Sequence, residues 1–209
     1  MSTATYFVTD IEADGPDPAR HSMLSFATVA CTPQAGIIGS FEAVLVPRGD
    51  RLQDKDTMDW WKTQPEAYEA TTTNARDAKI VMKEFADWVE TFESYRIFAA
   101  SPLLLDASWI DEYLRTFVGT RIFRGPFKFR RVFDGSGLDI PTYFAGLFGW
   151  PAERHDELIH KTPAWWRGNQ LHTHRAIDDA TGYANMLLNA VAISAARERH
   201  PNDFARNQL

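Results

Sequence analysis

The chain has 209 residues, a formal net charge of −6 at pH 7, and hydrophobic and charged fractions of 44% and 24%. This is the composition of an ordinary globular protein, and the length predicts a single α/β domain. The acidic balance excludes a protein that grips duplex nucleic acid through a broad basic face, while a local basic groove stays compatible with it.

Cysteine content and hydrophobic runs bear on location. Cys31 is the single cysteine, which excludes an internal disulfide framework and favours a reducing compartment. The first ten residues lack the basic start and apolar core of a signal peptide, and the longest uncharged apolar run near the C-terminus, residues 186–196, is too short to span a membrane. We therefore expect a cytoplasmic protein with no membrane partner.

The first predicted strand ends in two carboxylates. Residues 5–15 read TYFVTDIEADG, where aromatic and β-branched residues indicate a central strand and Asp10 and Glu12 stand two positions apart. Strand alternation places both on one face, about 7 Å apart. Such a pair is repulsive unless a cation or a proton neutralises it, so it is a candidate metal site. With 28 acids in the chain, about four acid-x-acid pairs arise by chance, so partners elsewhere must decide.

Two more strands and a short helix are predicted next. Residues 23–30 and 37–46 indicate strands that complete an antiparallel three-strand meander. A capped helix at 56–61 presents Trp60 and Trp61 roughly 100° apart. We expect one of them in the core and the other exposed as a stacking surface for a base. Core packing of both is the alternative.

The middle of the chain has a clear helical period. Residues 77–92 predict a helix, residues 95–100 a strand, and Asp106 lies at the front of a second amphipathic helix, on or near its apolar face. Considered alone, Asp106 is an ordinary helix cap or dipole partner.

A basic and aromatic segment follows. Residues 115–131 contain six basic residues and no acid, interleaved with phenylalanines, which is typical of a surface that binds single-stranded nucleic acid. Arg124, Arg130 and Arg131 are therefore candidate substrate contacts. The alternative, of equal weight, is a plain edge strand at 127–130 with solvated charges.

The C-terminal third ends in the most regular helix. Residues 139–148 predict a short helix, 150–172 a long irregular segment rich in Pro, Trp and His, and 175–196 a helix followed by a polar tail from about residue 197. The first turn of that helix carries Asp178 and Asp179, with His172 and His174 just before it.

Three motifs in this order resemble the DEDDh branch of the DnaQ-like 3′→5′ exonucleases. They are FVTDIEADGP, LLLDASWIDEYL and HTHRAIDDA, and the resemblance runs from residue 5 to about residue 195. It implies a ribonuclease H-like α/β fold, with a mixed central sheet flanked by helices. It also implies that Asp10, Glu12, Asp106 and Asp179 hold the metals and that His174 is the catalytic base.

The activity that the resemblance implies is a two-metal-ion 3′→5′ exonuclease that releases nucleoside 5′-monophosphates from single-stranded RNA or DNA. Four carboxylates are hard oxygen ligands and suit Mg²⁺ or Mn²⁺. Ala13 joins Trp60 and Trp61 as a candidate substrate contact, and the chain departs from the family at Pro102, where many members have asparagine.

The spacing of the third motif sets a geometric condition. Five residues from His174 to Asp179 rotate about 140° on an ideal helix, so both reach one site only if His174 lies at or before the first turn. We expect that placement, and we assign Asp178 to helix N-terminal charge.

Two other readings remain open at this stage. One is a catalytically inactive nucleic-acid-binding or polymerase-associated module of the same fold, which has no need of a histidine base. The other is a zinc protein that uses His155, His160, His172 and His174, although a single cysteine and the His-x-His spacing disfavour it. RNA or DNA preference, processivity and oligomeric state, including a homodimer, are not decided by the sequence.

Overall fold

A computed structural model describes residues 4–122 and 130–199, and a mixed sheet forms its centre. The strands are β1 (Ala4–Ala13), β2 (Met23–Thr32), β3 (Gly36–Val44), β4 (Tyr95–Ala100) and β5 (Leu138–Asp139). They lie in the order β3-β2-β1-β4-β5. β1, β2 and β3 pair antiparallel, whereas β4 is parallel to both β1 and β5. The predicted meander and mixed sheet are confirmed.

Helices cover both faces of this sheet. They are α1 (Lys55–Trp61), α2 (Pro65–Thr72), α3 (Ala78–Glu90), α4 (Leu103–Phe117), α5 (Ile140–Phe148), α6 (His155–His160) and α7 (Ala176–Arg199). Within the described parts of the chain, none is both long and apolar enough to cross a bilayer.

Two sequence-based predictions were wrong. Helix α2 was not predicted, and residues 150–172 were predicted to be irregular, whereas they contain α6 and the 3₁₀ turns Ala152–Arg154 and Ala164–Arg167. The cause is proline: Pro65 stands in the first turn of α2, and Pro151 and Pro163 cap the two 3₁₀ turns. Proline breaks a helix interior but suits a helix start, and these elements are too short to show a period.

The central strand β1 is covered on both faces, and its alternation decides where the carboxylates emerge. Phe7 and Ile11 pack with α3 and α4. Val8 packs with α5 and α7 on the other face. Asp10 and Glu12 have the parity of Val8, so they point to the side on which α7 begins.

The two adjacent tryptophans separate as expected. Trp61 is 2% exposed and its indole N–H donates to the carbonyl of Ala13 at 2.9 Å, which fixes α1 against the end of β1. Trp60 is 40% exposed. The prediction that one enters the core and the other stays accessible is confirmed.

Candidate active site

Three carboxylates converge where β1 ends. Asp10 and Glu12 on β1 and Asp179 on α7 each offer an oxygen within 4.8 Å of the other two. Asp179 is buried, and the two β1 residues are half-buried. The parity of β1 and the position of Asp179 in the first turn of α7 bring these residues together. Carboxylate oxygens this close suit a hard divalent cation.

A fourth carboxylate approaches from α4. Asp106 is buried in the first turn of α4 and accepts the backbone N–H of Ile11 at 3.1 Å. That N–H is available because β4 pairs with β1 only as far as Val8. The charge of Asp106 raises the pKa of Asp10, so the two carboxyls interact, although Asp106 does not belong to the 4.8 Å trio.

Burial and mutual repulsion perturb these acids. The pKa of Asp10 is raised well above its ordinary value, first by burial and then by the charges of Asp106, Glu12 and Asp179, with Arg167 acting in the opposite direction. Burial, followed by Asp179 and Asp106, raises the pKa of Glu12 to about 9. Burial raises the pKa of Asp106 to about 8. Without a cation, Glu12 and Asp106 are therefore shifted toward their protonated forms at neutral pH.

His174 lies immediately before α7, which meets the geometric condition set by the sequence. Its backbone is left-handed, with φ of +57°, and its N–H donates to Asp179 Oδ2 at 3.1 Å. The ring packs edge-on against Trp60 at 5.0 Å between centroids. Burial, followed by the neighbouring charge of His172, lowers the pKa of His174. The ring is therefore neutral at pH 7 and can accept a proton.

Asp178 faces away from the cluster. Its carboxylate accepts the hydroxyl of Thr173 at 2.7 Å and lies 3.9 Å from Arg175. These contacts hold the loop that leads into α7, so Asp178 stabilises the helix start.

Arg167 is a site residue that sequence reasoning missed. Its Nη2 donates to Asp179 Oδ1 at 3.0 Å, and its guanidinium lies 4.8 Å from the Tyr183 ring centroid. A Cβ on Gly182 would lie 2.6 Å from Nη2, so the absence of a side chain there makes room for the guanidinium. The one sequence signal is that Arg167 belongs to the long segment rich in Pro, Trp and His, and long irregular segments in compact domains tend to be functional.

His172 was considered only as a zinc ligand, and the structure brings it to the same carboxylate. Its Nδ1 lies 2.6 Å from Asp179 Oδ1, and its ring centroid lies 4.5 Å from that of His174. Asp179 is thus contacted by two histidines and Arg167.

The candidate substrate contacts at the site differ in their accessibility. Trp60 presents part of its ring to solvent beside His174. Trp61 is buried, and the carbonyl of Ala13 already accepts its indole N–H. The exposed ring of Trp60 is the one of these three that is free to stack on a base.

Arg130 and Arg131, two described residues of the basic segment, pair with acids outside the carboxylate cluster. Arg130 donates to Asp87 and Glu90 of α3. Arg131 lies 3.8 Å from Asp134. The carboxylate of Asp134 also accepts the backbone N–H of Arg96, near the start of β4. Because β1 and β4 run parallel, that start lies roughly 20 Å along the sheet from Asp10. Arg130 lies outside the described strands and is paired with acids of α3. Arg124 and residues 127–129 lie outside the described residues, so the edge strand stays a prediction.

The mixed sheet with helices on both faces has a ribonuclease H-like α/β fold. No protein-family model matches the chain, and no curated protein matches it either. Solved structures do match it, and the three described below are exonucleases.

Three of these structures illustrate the likeness. The nuclease domain of 3'hExo, a DEDDh family member bound to rAMP, is 13% identical with a TM-score of 0.63, over 90% of this chain and 92% of that one. A 3'-exonuclease recognising the 3'-end of a histone mRNA stem-loop is 10% identical with a TM-score of 0.63, over 92% and 83%. E. coli Exonuclease I with a dT13 oligonucleotide is 14% identical with a TM-score of 0.62, over 97% of this chain and 43% of that chain. At such identities the likeness establishes the fold, and the predicted fold class is confirmed.

Proposed function

We propose that this protein is a metal-dependent 3′→5′ exonuclease that hydrolyses phosphodiester bonds at the 3′ ends of single-stranded RNA or DNA and releases nucleoside 5′-monophosphates. The observation that carries the proposal is the convergence of Asp10, Glu12 and Asp179, with Asp106 adjoining, beside a neutral His174. The similar structures hold rAMP in one case and dT13 in another, which supports a nucleic-acid substrate.

The carboxylates fit divalent cations. All their donor atoms are oxygens, which Mg²⁺ and Mn²⁺ prefer. The pKa values of Asp10, Glu12 and Asp106 are raised because too little positive charge lies near them to stabilise all three in the ionised form. Asp10, Glu12, Asp106 and Asp179 would hold the ions, and two such ions would supply activation of the attacking water and stabilisation of the leaving 3′ oxygen.

His174 is the residue that takes the proton from the attacking water. The ring is neutral near pH 7 because its pKa is lowered. The hydrogen bond from its backbone N–H to Asp179 places it beside the carboxylates. Arg167 donates to the other oxygen of Asp179, Oδ1, and offsets part of the negative charge of the cluster.

Exposed apolar side chains next to site residues in the chain support nucleobases as the ligand. Leu104 and Leu171 are 85% and 74% exposed, and each lies within two positions of a site residue, as does Leu105. Trp60 is 40% exposed and packs against His174. Exposed apolar surface beside a polar cluster is typical of a binding site, and base faces pack on such side chains.

The test is hydrolysis of 5′-labelled RNA and DNA oligomers of equal sequence, with Mg²⁺, Mn²⁺ or EDTA. We expect a metal-dependent ladder that shortens from the 3′ end, and the relative rates report the sugar preference. Asp10→Ala should abolish turnover and leave the fold intact, because it relieves repulsion. Asp87→Ala, on the exposed face of α3, is the matched control. If the wild type cleaves neither the RNA nor the DNA oligomer but still binds them, the chain is one of the inactive nucleic-acid-binding modules.

A further inference from the structure

A second group of metal-binding atoms adjoins the carboxylate cluster. His172, His174 and Asp179 each offer one ligand atom within 4.8 Å of the other two. This group shares only Asp179 with the trio that contains Asp10 and Glu12. Two imidazoles and one carboxylate are a donor set for zinc, whereas an all-carboxylate set is not.

We propose that His172, His174 and Asp179 form a zinc site that adjoins the all-oxygen site and shares Asp179 with it, and that a zinc ion there inhibits hydrolysis. The inhibition rests on the proposed function, while the binding of zinc does not. Zinc sites with three protein ligands leave a fourth position open for water.

The geometry is close to what zinc requires. With bonds of 2.0–2.1 Å in a tetrahedral arrangement, ligand atoms lie about 3.4 Å apart. His172 Nδ1 and Asp179 Oδ1 are 2.6 Å apart, and no pair in the group exceeds 4.8 Å. Movements of about 1 to 1.5 Å, within the range of side-chain rotation, would therefore close the site.

The surroundings admit an ion. The side chain of His172 is 48% exposed, so solvent reaches the group from that side. Arg167 shares Asp179 Oδ1 with His172. The guanidinium of Arg167 also contacts the ring of Tyr183 and donates a hydrogen bond to the carbonyl of Gln170. A carboxylate offers about four lone-pair positions, so Arg167 and a metal can occupy Asp179 together.

Zinc at this site would remove two groups that hydrolysis needs. It would engage the His174 nitrogen, so the base could not accept a proton, and it would draw Asp179 away from the cations held by Asp10 and Glu12. Because Asp179 is common to both sites, zinc and magnesium should compete, and raising magnesium should raise the zinc concentration needed for inhibition.

Direct zinc binding is the first measurement. Three proteins without a His tag are compared: the wild type, His172→Gln and His160→Gln. Each is dialysed to equilibrium against increasing concentrations of Zn²⁺ in a buffer that contains magnesium. His160 is exposed on α6, outside the group, and is the matched control. We expect one zinc ion per chain in the wild type and the control, and at least about tenfold weaker binding in His172→Gln. Circular dichroism melts establish that all three proteins are folded.

The second measurement separates this inference from the proposed function. Each protein's oligonucleotide hydrolysis is titrated with zinc and expressed relative to its own zinc-free rate, and we expect half-inhibition at about tenfold higher zinc in His172→Gln. Equal dialysis curves for His172→Gln and the wild type would overturn the site. Weaker binding by the variant with unchanged half-inhibition would overturn the inhibition. Weaker binding by the variant in a protein without nuclease activity would support the zinc site and refute the proposed function.

Discussion

Replacing Glu12 with glutamine should change how the metal-free protein responds to pH. The pKa of Glu12 is raised from an ordinary value of 4.5 to about 9, first by burial and then by Asp179 and Asp106. Between these two values the folded chain keeps a proton that the unfolded chain has released. The free energy of unfolding therefore falls as the pH rises through this window.

The size of the effect follows from proton linkage. One group that is protonated in the folded state and ionised in the unfolded state lowers the free energy of unfolding by about 1.4 kcal/mol per pH unit. Glutamine cannot ionise, so Glu12→Gln removes that slope.

The assay is urea unfolding in EDTA at intervals from about pH 5 to about pH 8, with the m-value checked for constancy. We expect the wild type to lose stability across this range faster than Glu12→Gln, by about 1.4 kcal/mol per pH unit. Glu69→Gln, an exposed acid on α2, is the control and should follow the wild type. Saturating Mg²⁺ should flatten the wild-type dependence, because a cation stabilises the ionised carboxylates. Parallel pH dependences for the wild type and Glu12→Gln in EDTA would refute the reasoning.

Three further predictions concern the base, the stacking ring and the basic segment. His174→Ala should lower the single-turnover rate by about 10²- to 10⁴-fold. Calorimetry should show that this variant still binds the metal; loss of metal binding would instead make His174 a ligand of the catalytic cation. Trp60→Ala should weaken oligonucleotide binding by about 1–3 kcal/mol, and Trp60→Phe, which keeps an aromatic ring, by much less. Fluorescence anisotropy measures both affinities, and equal losses of affinity in the two variants would exclude stacking. Arg130→Gln and Arg131→Gln should leave the salt dependence of single-strand binding unchanged, since both lie near the start of β4, and a flatter slope would place them on the substrate path.

Local patterns determined most of the fold. The aromatic and β-branched residues within 5–15 predicted a central strand, strand alternation placed Asp10 and Glu12 on one face, and helical period predicted α3, α4 and α7. The order of the three motifs then indicated a ribonuclease H-like fold, which the structure confirms. These features depend on neighbours a few positions apart, so they can be read without knowing the tertiary structure. Helices α2 and α6 and the two 3₁₀ turns were missed because elements this short show no clear period.

The tertiary structure decided which residues surround the carboxylates. Arg167 and His172 reach Asp179 because a 3₁₀ turn and its loop fold back against α7, and nothing in their local sequence specifies that partner. In the same way, Arg130 pairs with α3, 40 positions away from Glu90, although its local composition was equally consistent with a nucleic-acid surface. Contacts between distant segments depend on how whole elements pack. The sequence could therefore nominate the carboxylates by motif, while only the fold could supply their cationic and histidine neighbours.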